Sequence, residues 1–389
     1  MRIADAINVA DLSAMARRRL PRVAFDYLDG GAEDEVTIAR NRAAFGRYAF
    51  VPRILSGSSP RDLKVTLFGE TLEVPWIVGP TGLNGLLWHG ADLALARAAE
   101  RAGAVFVHGT AANIAMEELA RSGGGVKWFQ LYPWGDRRVW ARLVERAQRA
   151  GYRALIVTVD TLLGGNRERD RRNRFAHEVR YTPRIVLDGL MHPGWLASVW
   201  LRGGVPRFEN IVEFAGPGAS ATDLADYVRG MRNPDLSWDD LEWIRGQWRG
   251  PFLIKGVLAP EDARRAADMG IEGIVVSNHG GRQLDGAIAT LDALPPIVAA
   301  VGGAMTVLVD GGFRRGSDVV KALALGAQAV VLGRTPLYGV AAAGEAGVDR
   351  ALAILREETL RVLALLGCAN PGALSRACLR EVRVSDDRE

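Results

Sequence analysis

The sequence predicts an α/β protein, a (β/α)8 TIM barrel with an N-terminal helical extension and a long insertion after strand 4. Three observations carry this. From residue 75 onward, short β-branched runs alternate with helical, Ala/Arg/Glu-rich stretches, the pattern of βα units that build a parallel sheet. There are eight such runs, which favours a closed barrel over an open doubly wound sheet. Each run ends in polar residues or glycine, as expected if a site is built on the C-terminal face of a barrel.

The elements follow in order. Residues 1 to 50 read as a helical cap. Their first part, MRIADAINVADLSAMARRRLP, has neither a continuous apolar stretch nor a small-residue cleavage site, so it reads as an amphipathic helix and not an export signal, and a cytoplasmic protein is expected. The barrel, residues 75–340, takes its strands from PWIVGP, AVFVHG, WFQLY, ALIVTVD, FLIKG, GIVVSNH, TVLVDGG and AVVLGR. From Asp160 to Phe252 there is far more chain than one helix needs, which places an insertion at 177–240. It contains Trp195 and Trp200, with no Asp, Glu, Lys or Arg from Gly189 to Leu201, and Arg184, Arg202 and Arg207 flank it. That is the composition of an interfacial membrane anchor over residues 181–213. An active-site cover or an oligomer contact is the alternative. After the barrel, VDRALAILREETLRVLALLG places apolar residues at helical spacing within 341–389. These extensions belong with the barrel in one domain, 1–389.

With 389 residues and 48% hydrophobic composition the chain can bury a large core. Its net charge of +4 comes from 49 Lys+Arg against 45 Asp+Glu spread along the chain, which does not point to nucleic acid. The basic runs ARRRL and RERDRRNR read as solvated helix faces. No apolar stretch approaches the ~20 residues that span a bilayer. Cys368 and Cys378 form no metal or disulfide framework, so free thiols in a reducing compartment and no metal site are expected.

The strand ends carry the chemistry. DGGFRRGSD follows strand 7 and VLGR closes strand 8; in barrels these loops commonly hold a phosphate, so Gly311, Gly312, Arg314, Gly333 and Arg334 are candidates for one. Lys255 ends strand 5 in a chain with only four lysines, where almost every other basic residue is arginine. A compact ammonium therefore has a specific task, either Schiff-base formation as in a barrel aldolase or neutralisation of charge on a cofactor or intermediate. In SNHGGRQLDG, His279 is placed as a base, and Asp160 at the end of strand 4 can orient its imidazole. Arg282 and Arg167 are candidates for a carboxylate clamp, with Tyr27 and Tyr132 supplying hydroxyls. Such a set suits proton abstraction from a small carboxylic acid beside a phosphate-bearing cofactor.

With FDYLDGGAEDE, GPTG, WFQLY, TVDT, LIKGV, SNHGGRQLD and DGGFRRGSDVVKALALGA in order, nearly the whole chain resembles the FMN-dependent α-hydroxy acid dehydrogenases and oxidases. GPTGLNG, NRERDRRNRF and RIVLDGLMHPGW resemble most the (S)-mandelate dehydrogenases of that family, which are membrane-associated through an insertion at this place. The resemblance implies FMN as cofactor and oxidation of an (S)-2-hydroxy acid, mandelate-like, to the 2-oxo acid. It makes His279 the catalytic base and Asp160 its partner. Arg282, Arg167, Tyr27, Tyr132 and Gly82 would bind substrate. Lys255 would lie by the flavin pyrimidine ring. Pro80, Thr81, Gly82, Gly109, Gln130, Thr158 and Ser277 would contact the isoalloxazine, Asp310 the ribityl chain, and Gly311, Gly312, Arg314, Gly333 and Arg334 the phosphate region. Electrons would pass to a quinone or other acceptor, and the resemblance implies a homotetramer, peripheral on the cytoplasmic face of the inner membrane. Alternatives are an oxygen-using lactate or glycolate oxidase, a flavin enzyme maturing a peptide-derived precursor, and the aldolase. Two departures stand out. Gly109 replaces a flavin-contacting serine and His108 an apolar residue. Gly82 and Ala111 are small where glycolate-oxidising relatives carry alanine and tryptophan, which makes room for an aromatic ring.

Overall fold

The computed structural model describes residues 2–57, 59–175, 182–216 and 221–382. Eight parallel strands close into a barrel: β1 (Trp76–Val78), β2 (Val105–Gly109), β3 (Lys127–Leu131), β4 (Leu155–Thr158), β5 (Phe252–Val257), β6 (Gly273–Val276), β7 (Thr306–Val309) and β8 (Ala329–Leu332). Each expected run supplies one strand, and β8 pairs back onto β1 through Val331 and Ile77. The barrel interior is filled by Ile77, Val105, Val107, Trp128, Ile156, Leu253, Val275 and Leu308, so it is a packed core and not a pore.

A hairpin that the sequence reading left unassigned closes the N-terminal end. Val65–Leu67 and Glu70–Leu72 pair antiparallel around Phe68 and Gly69, whose φ values of 50° and 81° form a left-handed two-residue turn. Leu67 and Leu72 join the interior cluster, and the Phe68 ring lies 5.7 Å from that of Trp128. The floor is thus sealed with apolar side chains, and the polar strand ends gather at the opposite, C-terminal mouth.

The N-terminal helices Val9–Arg19, Arg22–Asp29 and Val36–Ala43 pack beside the mouth, the first of them against the helix Arg334–Leu366, which is kinked at Ala343 and Gly344. The helical readings of residues 1–50 and 341–389 stop short at their ends. Tyr48–Phe50 pairs antiparallel with Leu379–Glu381, an aromatic, half-buried strand that ties the two extensions together. Cys368 and Cys378 are both free and buried.

Between β4 and β5, helix Pro183–Leu190 and the π-helical turn Leu196–Trp200 lie over the N-terminal cap. Trp195 is buried, and its indole donates to the Leu86 carbonyl at 2.8 Å; Trp200 packs partly buried against the core. The expected tryptophan surface is therefore not what this segment presents, because both rings pack inward. Its exposed apolar side chains include Val186, Leu187, Leu190, Met191 and Leu201. Tyr181 and the side chain of Arg184 lie outside the described residues. Among the described residues no helix is long and apolar enough to cross a membrane.

Candidate active site

The loop after β6 explains why SNHGGR needs its glycines. His279, Gly280 and Gly281 take φ values of 57°, 64° and 75°, three left-handed residues in a row. A Cβ on Gly281 would fall 2.9 Å from the Ile38 backbone nitrogen, so glycine is required by contact as well as by conformation. This turn lifts His279 off the strand, and its backbone N–H donates to Ser277 Oγ at 3.0 Å.

Asp160 and His279 meet as expected, at 2.9 Å between Oδ1 and Nδ1. With Nδ1–H donating to the carboxylate, Nε2 carries the lone pair, and it lies 3.4 Å from the Tyr132 hydroxyl. Burial lowers the His279 pKa, opposed by the Asp160 charge, so the imidazole is a neutral base at physiological pH. Burial alone would raise the Asp160 pKa; the His279 charge and hydrogen bond reverse this and hold it low, keeping it ionised. The approach of the two elements depends on Gly256, at a bulge in β5 with φ 114°, where a Cβ would lie 2.6 Å from that of Asp160.

Beside the base is a cluster of cations with too few acids. Arg167 and Arg334 are pushed down to about 10, first by burial and then by the Arg282 charge. Arg282 donates to the carbonyls of Tyr27 and Gly30, both at 2.8 Å, and lies over the Tyr27 ring at 5.0 Å. Arg167 donates to the Arg282 carbonyl at 3.3 Å, and the Tyr27 hydroxyl to the Gly82 carbonyl at 3.0 Å. Crowded, partly buried guanidiniums are stabilised by an anion, and a carboxylate matches their fork.

On the other side of the cavity Lys255, 5% exposed, donates to Ser277 Oγ at 2.9 Å and pairs with Asp310 Oδ2 at 3.1 Å. Burial would lower its pKa, but the charges of Asp310 and Asp160 outweigh this and raise it. A Schiff-base lysine must lose its proton, so this ion pair argues against the aldolase alternative. Asp310 Oδ1 is buried with no partner, an acceptor left for a donor that the protein does not supply. Gly311 and Gly312 have φ values of 99° and 85°, and a Cβ on either would come within 2.8 Å of Thr290 or Asn41. Arg314 packs on the Tyr338 ring, and Arg334, opening the helix after Gly333, donates to the carbonyls of Leu28, Gly30 and Gly280.

One cavity of about 640 Å³ joins these groups, within the ~300–1,000 Å³ of small-molecule sites. Its wall includes Tyr27, Pro80, Thr81, Gly82, Tyr132, Arg167, Lys255, His279, Arg282 and Asp310, then Gly311, Gly312, Arg314, Gly333 and Arg334. Ser277, Gln130 and Thr158 are buried beneath it, with Gln130 Nε2 donating to Thr158 Oγ1 at 3.0 Å. Gly109 is likewise buried, and a Cβ there would lie 3.2 Å from Gln130 Oε1.

Residues 16–381 match the sequence family of FMN-dependent dehydrogenases. The chain belongs to this family. It is 44% identical to the (S)-mandelate dehydrogenase of Pseudomonas putida over 98% of this chain and 96% of that one. It is also 44% identical to the L-lactate oxidase of a Nostoc species, over 94% of this chain and 96% of the other. Among solved structures, a monotopic membrane protein, (S)-mandelate dehydrogenase, superposes with a TM-score of 0.93 at 43% identity, covering 97% of this chain and 100% of that one. A mandelate oxidase complex with benzoyl-formic acid matches with a TM-score of 0.80 at 37% identity.

The donor set of this FMN-dependent dehydrogenase fits FMN on its own chemistry. The unpartnered Asp310 Oδ1 can accept from a polyol, the charged Lys255 suits an electron-rich ring, and a glycine cradle with Arg314 at a helix start suits a phosphate. His108, which stands where the family has an apolar residue, is a packed strand histidine. It is fully buried, and its Nε2 lies 2.9 Å from Asn210 Nδ2, on the segment after β4. Sequence reasoning missed several wall residues. Trp134, stacked on Tyr132 with centroids 4.6 Å apart, was signalled by YPW directly after β3. Phe208, Val228 and Arg232 come from the segment after β4, where no local pattern points at the cavity.

Proposed function

We propose that this FMN-dependent dehydrogenase oxidises an aromatic (S)-2-hydroxy acid of the mandelate type to the 2-oxo acid. The observation that carries this reading is His279: Nδ1 is tied to Asp160, and the Nε2 lone pair lies beside the Tyr132 hydroxyl in a cavity with more arginines than acids. FMN, when bound, supplies the two-electron acceptor. Arg282 and Arg167 bind the substrate carboxylate, and Tyr27 and Tyr132 orient the hydroxyl. His279 Nε2 takes one of the two protons that the H–C–O–H unit loses, the other would leave with the electron pair to FMN, and Asp160 stabilises the imidazolium that results. Lys255, Ser277, Gln130 and Thr158 would hold the isoalloxazine with Pro80, Thr81 and Gly109. Asp310 would hold the ribityl chain, and Gly311, Gly312, Arg314, Gly333 and Arg334 the phosphate.

Gly82 and Ala111 make room for the ring. A Cβ on Gly82 would fall 2.9 Å from that of Ala111, so the two small residues abut and neither can grow without displacing the other. The exposed aliphatic stripe Val186, Leu187, Leu190, Met191 and Leu201 supports peripheral contact with the inner membrane, which would put a quinone within reach as electron acceptor; a homotetramer is proposed on the family resemblance alone. The equal identity to a lactate oxidase supports a second reading, in which oxygen is the acceptor.

Steady-state rates with (S)-mandelate, (R)-mandelate, L-lactate and glycolate, each with a quinone analogue or with oxygen, test both readings. The proposal expects (S)-mandelate and the quinone analogue to be preferred. Hydrogen peroxide formed stoichiometrically in air favours the oxidase, and a preference for glycolate overturns the aromatic assignment. Flotation with anionic liposomes, lost when residues 181–213 are replaced by a polar loop that leaves turnover intact, tests the membrane contact.

A further inference from the structure

Three cations of the cavity wall, Arg171, Arg229 and Arg232, have no task in this scheme; Arg171 donates to Asn166 and Arg229 pairs with Asp226, which leaves Arg232. Arg232 follows the helix Ala221–Gly230 and is fixed through Met231, whose carbonyl accepts from the Gly135 N–H at 2.6 Å. It lines the cavity with Phe208, Val228 and Gly164. The guanidinium lies against Gly164, where a Cβ would fall 2.2 Å from a terminal nitrogen and 2.8 Å from Cζ, so glycine in the loop after β4 is what admits it. Its Nε is buried without a hydrogen-bond partner, and among the described residues no carboxylate pairs with it. By contrast, the neighbouring Arg229 pairs with Asp226 at 2.8 Å. Burial lowers the Arg232 pKa, and the Tyr132 phenol opposes this, which places the cation in the chamber of the His279 base.

A half-buried guanidinium with no acid beside it is costly unless a ligand anion completes it. The carboxylate of the 2-hydroxy acid already has Arg282 and Arg167, on the side of the cavity built by Tyr27 and Gly30. Arg232 instead lies against Gly164 in the loop after β4 and within reach of the Tyr132 phenol, and neither Arg282 nor Arg167 is among the charges that bear on it, which sets it apart from the carboxylate clamp. We propose that Arg232 recognises a second anionic group at the far end of the substrate, so that the preferred class is a 2-hydroxy acid whose ring ends in a carboxylate. This rests on the 2-hydroxy acid reading above and narrows it.

The test compares kcat/KM for (S)-mandelate and its 4-carboxy derivative in the FMN-loaded wild type, Arg232→Met and Arg232→Lys. A charge-assisted bond to a carboxylate makes the expected loss on the carboxylated acid in Arg232→Met about 10- to 100-fold, against less than about threefold on mandelate. Retained mandelate turnover shows that the variant is folded, and Arg232→Lys, which keeps the charge, should recover part of the preference. Equal losses on both acids, or a wild type that turns over mandelate but rejects the carboxylated acid, overturn the role of Arg232 and leave the 2-hydroxy acid function standing. A wild type that binds FMN and oxidises neither acid overturns both.

Discussion

Two histidines at the barrel's C-terminal end, His279 partly buried and His108 fully so, show how partners decide chemistry. His279, lifted off β6 by a left-handed turn, gives Nδ1 to the Asp160 carboxylate and leaves Nε2 open beside Tyr132. His108 lies within β2, among the rings of Phe106, Phe129 and Tyr152, with the amide of Asn210 at Nε2. A carboxylate stabilises a positive imidazole; an amide N–H and aromatic rings do not. The His108 pKa is accordingly driven down to about 3, chiefly by burial. The first histidine is built to gain and lose a proton. The second stays neutral and fastens the segment after β4 to the barrel, since Asn210 also donates to the Gly109 carbonyl and accepts from the Met116 N–H.

The sharpest way to break this contrast is to remove the base. His279→Gln should keep FMN, whose phosphate cradle is elsewhere, yet lower kcat/KM for mandelate by about 10²- to 10⁴-fold, the usual worth of a positioned acid–base group. Its partner is read through pH. The base form of His279 must be present, so kcat/KM should fall as pH drops through a pKa lying below the ordinary histidine value, and Asp160→Asn, which removes the charge that raises this pKa, should move the acid limb lower still. An unmoved limb would show that Asp160 only packs against the ring.

Gly82→Ala pushes a methyl toward Ala111 and narrows the ring space. One methyl group in a packed pocket is worth roughly 1 to 3 kcal/mol of discrimination, so the ratio of kcat/KM for mandelate over lactate should narrow about tenfold. Equal losses on both acids would mean that the glycine serves only the backbone.

The smallest effect on turnover is expected at His108. His108→Leu should change kcat/KM by less than about threefold, because a packed histidine takes no part in the chemistry, but lower stability by about 1–3 kcal/mol through the unpaired Asn210 amide. It should also flatten a pH dependence. The folded His108 pKa is depressed, so its contribution is present above the unfolded value of 6.5 and is lost as pH falls toward 3, with a slope of up to about 1.4 kcal/mol per pH unit. Denaturant melts at pH 6.5 and pH 5 measure the difference between wild type and variant.

The strand ends were legible because a barrel converts chain order into position: whatever follows a β-branched run stands at the mouth, so His279, Asp160 and Lys255 could be read directly. The role of His108 was not legible, since its partner Asn210 is far away in sequence and the pairing exists only after the segment after β4 folds over β2. The same holds for Arg232. The tryptophans misled for a related reason. Composition marked Trp195 as surface, but its indole has a carbonyl partner at Leu86, and a ring with a buried acceptor packs inward. The floor hairpin did carry a local signal in VTLFGETL, with Phe68 and Gly69 at the turn between two alternating runs.

The claim that His279, and not His108, is the base at an FMN site is tested most directly by the visible spectrum of the purified protein before and after anaerobic (S)-mandelate. Wild type and His108→Leu should be yellow and bleach within the same time, and His279→Gln should be yellow and stay so over that interval. Bleaching of His279→Gln at the wild-type rate, or a wild type that is colourless and remains so with added FMN, would contradict the account.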